Sequence, residues 1–150
     1  MALLLDIPRQ PDWIYNTKQA RIVEQIAQNE VIFYSLVSLP WPVASRDYVS
    51  HFTITRKDGV TILDSHVVPE RLPHVPGVVR VEKSHAHWEI RDISDDEVEI
   101  TYVLRFDPGG EVPSWLTNTF VTTGPLSTFS NLKEMVKKPE YRNAHFAFLE

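Results

Sequence analysis

The sequence predicts a single α+β domain, a curved antiparallel sheet of about six strands wrapped around one long C-terminal helix. Three observations predict it. Residues 97–107 alternate cleanly, with Val98, Ile100, Tyr102, Leu104 and Phe106 against Glu97, Glu99, Thr101 and Arg105, the period of two that marks a strand. Lys57-Asp58-Gly59 lies between two strand-like runs and reads as a hairpin turn, which makes its neighbours antiparallel. From residue 112 to 138 the period becomes helical, with Trp115, Leu116, Phe120, Leu126, Phe129, Leu132, Met135 and Val136 near one stripe.

The elements follow in order. Residues 2–15 read as the end of one helix, a turn at Pro8 and Pro11, and a short second helix capped by Asp12. Residues 19–28 alternate weakly. Residues 30–38 form a clear strand, with Ile32, Tyr34 and Leu36 on one face and Val31, Phe33 and Val37 on the other. Pro40 and Pro42 bracket Trp41; proline fixes φ and lacks a ladder donor, so this is a stiff connection with Trp41 at its tip. Residues 47–56 put Tyr48, Ser50, Phe52 and Ile54 on one face, and residues 60–68 return. Residues 69–77 hold three prolines and form a loop. A long strand over 79–93 and a turn at Ser94-Asp95-Asp96 lead into the strand over 97–107, which Pro108-Gly109-Gly110 ends. Pro125, preceded by Gly124, is expected to kink the C-terminal helix, and Pro139 to stop it. The tail has no pattern of its own.

Composition narrows the function. A chain of 150 residues can build one real core, and 43% hydrophobic content is that of a globular protein. A net charge of −5 and no basic run longer than Lys137-Lys138 argue against nucleic acid as a partner. The absence of cysteine excludes disulfides, thiol catalysis and thiolate-bound metals, and fits a reducing compartment. The first six residues are too short and lack the basic start of a signal peptide. No apolar run approaches the ~20 residues of a membrane span. A soluble, cytoplasmic protein is expected.

Three segments carry a family likeness. Leu39-Pro-Trp-Pro-Val-Ala-Ser-Arg-Asp-Tyr-Val49 resembles P-[FW]-P-[LV]-x-x-R-D-[YF]-V, a signature of the START family of lipid-transfer domains. Val79-Arg-Val-Glu-Lys-Ser-His-Ala-His-Trp-Glu-Ile90 resembles that family's V-R-[VI]-x-x-x-x-G-x-W-x-[IL] strand, with Ala86 where glycine is common. Asp107-Pro-Gly-Gly-Glu-Val-Pro-Ser-Trp-Leu-Thr-Asn-Thr-Phe120 looks like its last strand running into the C-terminal helix. Pro125-Leu126, Asn131-Leu132, Leu5-Asp6 and Trp13 fit the same pattern, so the likeness runs from about Leu3 to Lys138.

The resemblance implies a helix-grip fold of the START and Bet v1-like kind, in one domain over 1–150. It also implies a deep apolar tunnel between sheet and C-terminal helix, holding one lipid that is transferred or sensed without bond chemistry or a cofactor. The helix and strands that open a full START domain are absent, so the chain is expected to be N-terminally truncated relative to the family. Unpaired sheet edges would then favour a homo-oligomer.

The residues permit this reading independently. Tyr34, Tyr48, Ser50, Phe52, Trp88 and Tyr102 mix aromatic, small and polar groups on the expected inner faces, with Trp115, Phe120 and Phe129 on the helix stripe. A mostly apolar wall with a few polar groups suits a ligand site. An ordinary aromatic-rich core accounts for the same mixture, and the motifs tip the balance. Arg105 faces the tunnel, where it would hold a head group, only if the apolar set 98–106 points outward; otherwise it is solvated.

Residues 112–132 carry no charge yet are rich in Thr, Ser and Asn. Such a helix suits a lid hinged at Gly124-Pro125 or a buried core helix. Leu72 and Val75 lie in the loop that the family places beside the tunnel mouth, where they would touch a membrane or pack back. Arg46 and Asp47 are expected to tie down the loop before their strand. Sterol-carrying relatives place a buried acid–base pair in the tunnel. Phe33 and Phe52 stand near those positions here, which argues against copying sterol specificity.

Other chemistry is thin. His85-x-His87-x-Glu89 puts three ligand types on one strand face, with His66 or His51 as possible neighbours. A solvated face explains the pattern, and no metal is expected. The alternative function is an enzyme acting on an apolar substrate, a cyclase, dehydratase or hydrolase in the same architecture. His51, Asp47 and Tyr102 are the only candidates for its acid–base pair.

Overall fold

The computed structural model describes residues 1–94, 97–142 and 146. Helix α1 (Ala2–Leu5) and a 3₁₀ segment (Ile7–Asp12) precede the sheet. Pro8 and Pro11 lack N–H donors, which one tight turn with few internal bonds tolerates. Asp12 closes that turn, paired with Arg9 at 3.1 Å, and does not cap a second helix. Trp13, at φ −138°, has already left helical geometry. Leu3, Leu4, Ile7 and Trp13 are all buried, so this segment plugs one end of the sheet.

Seven strands follow: β1 (Thr17–Ala27), β2 (Glu30–Val37), β3 (Arg46–Lys57), β4 (Val60–Val67), β5 (Val79–Arg80), β6 (Lys83–Ser94) and β7 (Glu97–Asp107). Six pair antiparallel in the order β1-β2-β3-β4-β6-β7. Asp58 and Gly59 both take positive φ, 53° and 77°, the twist-matched hairpin turn that Asp-Gly favours. Residues 95 and 96 of the expected second turn lie outside the described residues.

The single strand expected over 79–93 is two strands. β4 pairs with β3 only from Ser50 onward. β5 fills the edge left beside Arg46 and Asp47, running parallel to them, before the chain crosses over to pair with β4 as β6. The crossing is fixed by a buried ion pair. Arg80 donates to both Asp47 oxygens, at 2.7 and 3.0 Å, and both side chains are 1% exposed. The remaining Arg80 donors meet the carbonyls of Pro69, Leu72 and Pro73 at 2.6 to 3.1 Å. Arg46 donates to the carbonyls of Ala44, Pro108 and Gly109. The Arg46-Asp47 pair thus ties down three loops, two more than expected. Trp41 stands 93% exposed at the tip of the proline connection.

The C-terminal helix is broken into α2 (Ser114–Val121) and α3 (Thr123–Met135), and a short α4 (Pro139–Arg142) follows. The break falls at Thr122, three residues before Pro125. Proline has no N–H for the Val121 carbonyl and its ring crowds that carbonyl, so the helix must restart with Pro125 in its first turn. Thr119 and Thr122 add side-chain bonds back to the Trp115 and Asn118 carbonyls, at 3.1 and 2.7 Å, which bend helices. Helix α3 ends at Met135, before Pro139, which opens α4. Among the described residues no helix is long and apolar enough to cross a membrane.

The main core lies on the concave face of the sheet. Leu3, Ile7, Trp13, Ile54, Leu63, Leu132 and Met135 meet there. A smaller cluster of Ile32, Tyr34 and Val49 lies on the convex face, covered by Val68 and Leu72.

Candidate ligand-binding cavity

Strand parity determines the wall of the cavity. Because side chains alternate across a strand, β2 turns Phe33, Ser35 and Val37 inward, and β3 turns Tyr48, Ser50 and Phe52. β4 adds Leu63, Ser65 and Val67, β6 adds Ser84, Ala86 and Trp88, and β7 adds Tyr102, Leu104 and Phe106. Register aligns Phe52, Ser65, Ala86 and Leu104 in one cross-strand row. Small side chains at the centre of that row leave space that leucine or valine would fill. The result is a cavity of about 240 Å³, near the lower edge of the ~300–1,000 Å³ typical of small-molecule sites.

The roof combines the N-terminal plug with the helix break. Trp13, Ile14 and Tyr15 meet Phe120, Gly124, Pro125 and Thr128 there. The Tyr15 backbone N–H donates to Thr128 Oγ1 at 3.1 Å, and the Asn131 amide donates to the Trp13 carbonyl at 3.2 Å. These bonds anchor α3. Helix α2 is held chiefly by buried Leu116 and by Phe120, whose ring meets Phe106 edge-on at 5.9 Å.

Among the described residues none of the lining side chains is an acid, a lysine, an arginine or a histidine. Burial pushes the Tyr48 phenol up to about 12, against a weaker opposing pull from Arg46. Burial, then Tyr48 beside it, pushes Tyr102 up to about 12 as well. Both phenols are therefore neutral hydrogen-bonding groups at physiological pH. Phe33 and Phe52 meet edge-on at 6.2 Å in the cavity wall. The buried Asp47–Arg80 pair lies behind the sheet. The Trp13 indole N–H is the one buried side-chain polar group among the described residues with no hydrogen-bond partner, and Trp13 lines the cavity.

Of the ten residues expected at the site, Tyr48, Ser50, Phe52, Trp88, Tyr102 and Phe120 line the cavity. Tyr34 does not. It shares the convex face with Ile32 and Val49, under the guanidinium of Arg21 at 5.1 Å, because Phe33 takes the inward parity of β2. Arg105 is exposed on the convex side of β7, since the apolar set 98–106 faces inward. Trp115 is 58% exposed on α2. Phe129 stands one layer back, with its ring 5.6 Å from Trp88 and 5.9 Å from Tyr102. Leu72 packs onto the convex cluster, away from the cavity, while Val75 is exposed.

Of the three acid–base candidates, only Tyr102 lines the cavity. His51 is on the convex face, its Nε2 2.6 Å from Glu30 Oε1, and Asp47 is held by Arg80. The sequence reading missed Ser35, Ser65 and Ser84. Their signal was a small residue on each inner strand face where a closed core needs a large one. Trp13 was missed as a lining residue because its direction depends on how the plug folds back.

Comparison with known proteins agrees with this geometry. The profile of the START domain family matches residues 1–142. An uncharacterised Pseudomonas aeruginosa protein is 33% identical over 138 residues, which are 91% of this chain and 68% of that protein. The mouse phosphatidylcholine transfer protein is 25% identical over 138 residues, 89% of this chain but only 62% of its own length. The crystal structure of a STAR-related lipid transfer protein from Xanthomonas axonopodis superposes with a TM-score of 0.81 at 29% identity, covering 91% of this chain and 77% of that one. Human STARD10 superposes with a TM-score of 0.80 at 23% identity, covering 95% of this chain and 59% of that one, a likeness of fold.

Proposed function

The chain belongs to the START domain family, and on that footing we propose that its cavity binds a lipid or other hydrophobic small molecule and carries it or reports its presence. The observation that supports this most directly is a space walled by aromatic, small and neutral polar side chains, with no acid, lysine, arginine or histidine among the described residues that line it. Exposing a chain of about sixteen carbons to water costs on the order of 12 kcal/mol, at ~0.8 kcal/mol per CH₂. A mostly apolar cavity offsets much of that cost in transit and needs little net affinity. Bond chemistry would need a positioned acid and base, and two neutral phenols, Tyr48 and Tyr102, are a poor pair.

Widening of the roof would ease entry of a long ligand. Helix α2, hinged at Thr122, is the part to move, because the bonds to Tyr15 and Trp13 restrain α3. Trp115, Val121 and Leu126 are exposed along this roof, and we read them, with Val75, as the surface that touches a membrane during exchange. Among the described residues β1 pairs only with β2 and β7 only with β6, and these free edges are the places for self-association.

The test is uptake of a fluorescent fatty acid and a fluorescent phospholipid, followed by transfer between vesicles. Saturable binding of either probe, with transfer faster than the spontaneous rate, supports the reading. Failure to take up both in delipidated, folded protein contradicts it.

A further inference from the structure

The convex face carries a cluster that the cavity does not use. β4 supplies Asp64, and β6 supplies His85 and His87, which share a face because they lie two residues apart. Register sets Asp64 directly opposite His87. Asp64 Oδ1 lies 2.9 Å from His85 Nε2 and 2.9 Å from His87 Nδ1. One ligand atom from each of the three residues lies within 4.8 Å of the other two. We propose that Asp64, His85 and His87 form a binding site for one divalent transition ion of the zinc class, on the face of the sheet opposite the lipid cavity.

The geometry fits such an ion. Tetrahedral zinc with bonds near 2.0–2.1 Å sets its ligand atoms about 3.3 Å apart. Asp64 Oδ1 stands 2.9 Å from each nitrogen, a little inside that value, and all three ligand atoms lie within 4.8 Å of one another, so small ring rotations reach it. Two imidazole nitrogens already converge on one carboxylate oxygen; an ion between them takes the place of the two N–H protons. Two nitrogens and one oxygen form a donor set for zinc, copper or nickel rather than calcium or magnesium. The fourth position opens to water, as Asp64 is 40% and His85 49% exposed.

A second feature supports the assignment. The other nitrogen of His87, Nε2, lies 3.3 Å from Glu89 Oε1. That carboxylate holds the Nε2 proton and leaves Nδ1 free to ligate, the carboxylate–histidine–metal arrangement that orients a ligand and raises its basicity. An ion here also bridges β4 and β6, whose alternate residues Ser65, Ala86 and Trp88 form the cavity wall. His66 is in register with His85 but is not among the three converging residues, which makes it a control.

The experiment is zinc titration of untagged, metal-free protein by calorimetry, with cobalt substituted to read geometry from its visible absorption. The expected result is one zinc per chain and the intense cobalt spectrum of a four-coordinate site. His85→Gln with His87→Gln should abolish both signals. Glu89→Gln should weaken zinc binding about 10- to 100-fold. His66→Gln should leave it unchanged. All these side chains lie on a partly solvated face, and a far-UV spectrum confirms that each variant is folded. The proposal is overturned by the absence of saturable zinc uptake. It is equally overturned if uptake survives the double histidine variant or is lost in His66→Gln.

Discussion

Ala86→Leu separates a ligand cavity from a loosely packed core, because the two readings predict different signs. Ala86 faces the space from β6, in register between Ser65 on β4 and Leu104 on β7. The space is about 240 Å³. Leucine adds three carbons to that space. At ~0.8 kcal/mol per CH₂ buried, the ligand-free variant gains up to about 2.4 kcal/mol. A ligand excluded from the same volume loses a similar amount, which weakens binding roughly 50-fold. Urea unfolding of delipidated protein reads the first quantity, and titration with a fluorescent fatty acid reads the second. A variant less stable by more than about 1 kcal/mol, with unchanged binding, would refute the reasoning, since that is the mark of overpacking a filled core.

Three further predictions follow from the same structure. Tyr48 and Tyr102, each pushed up to about 12 by burial, should ionise well above a free phenol in phenolate absorbance. The phenols of the unfolded chain ionise near 10, so the stability these groups hold is complete below pH 10 and is lost as pH rises toward 12, by about 2–3 kcal/mol each; flat stability across that window would contradict their burial. Asp47→Ala leaves the Arg80 guanidinium buried and unpaired, and should cost about 3–5 kcal/mol in urea unfolding. A loss below about 1 kcal/mol would mean that the loop carbonyls alone satisfy Arg80. Trp13→Phe removes a buried donor that has no partner, but it also leaves space where a 2% exposed core side chain stood, so the ligand-free protein should lose about 1–3 kcal/mol. If a ligand oxygen takes that proton, affinity for fatty acids and esters should fall about 2- to 10-fold while binding of a plain hydrocarbon is unchanged.

Much of the architecture was legible because it rests on local periodicity. The strand over 97–107 matches β7 at both ends, and the Asp58-Gly59 turn follows from the need for positive φ. What escaped depended on long-range partners. The split of residues 79–93 turns on Arg80 reaching Asp47, 33 positions earlier. The helix break at Thr122 follows from Pro125 acting on the carbonyl four residues back, so the proline marks a bend that lies upstream of it.

The site was legible by face rather than by residue. On β3 the set Tyr48, Ser50 and Phe52 pointed inward as read. On β2 both faces are apolar, so alternation could not say whether Phe33 or Tyr34 turned inward; the convex cluster under Leu72 decides it. On α2 the amphipathic stripe marked Trp115 as buried, yet only Leu116 is, because the plug and Phe106 cover a narrow strip of that helix. Asp64 drew no notice as a partner for His85 and His87, since only strand register brings β4 beside them.

The measurement that tests the central claim most directly is native mass spectrometry of the protein as purified from its host, followed by organic extraction and identification of what is released. A folded chain carrying one stoichiometric lipid or fatty acid is the predicted result. A folded, empty chain that also refuses fluorescent lipids would contradict the claim that this cavity is a lipid site.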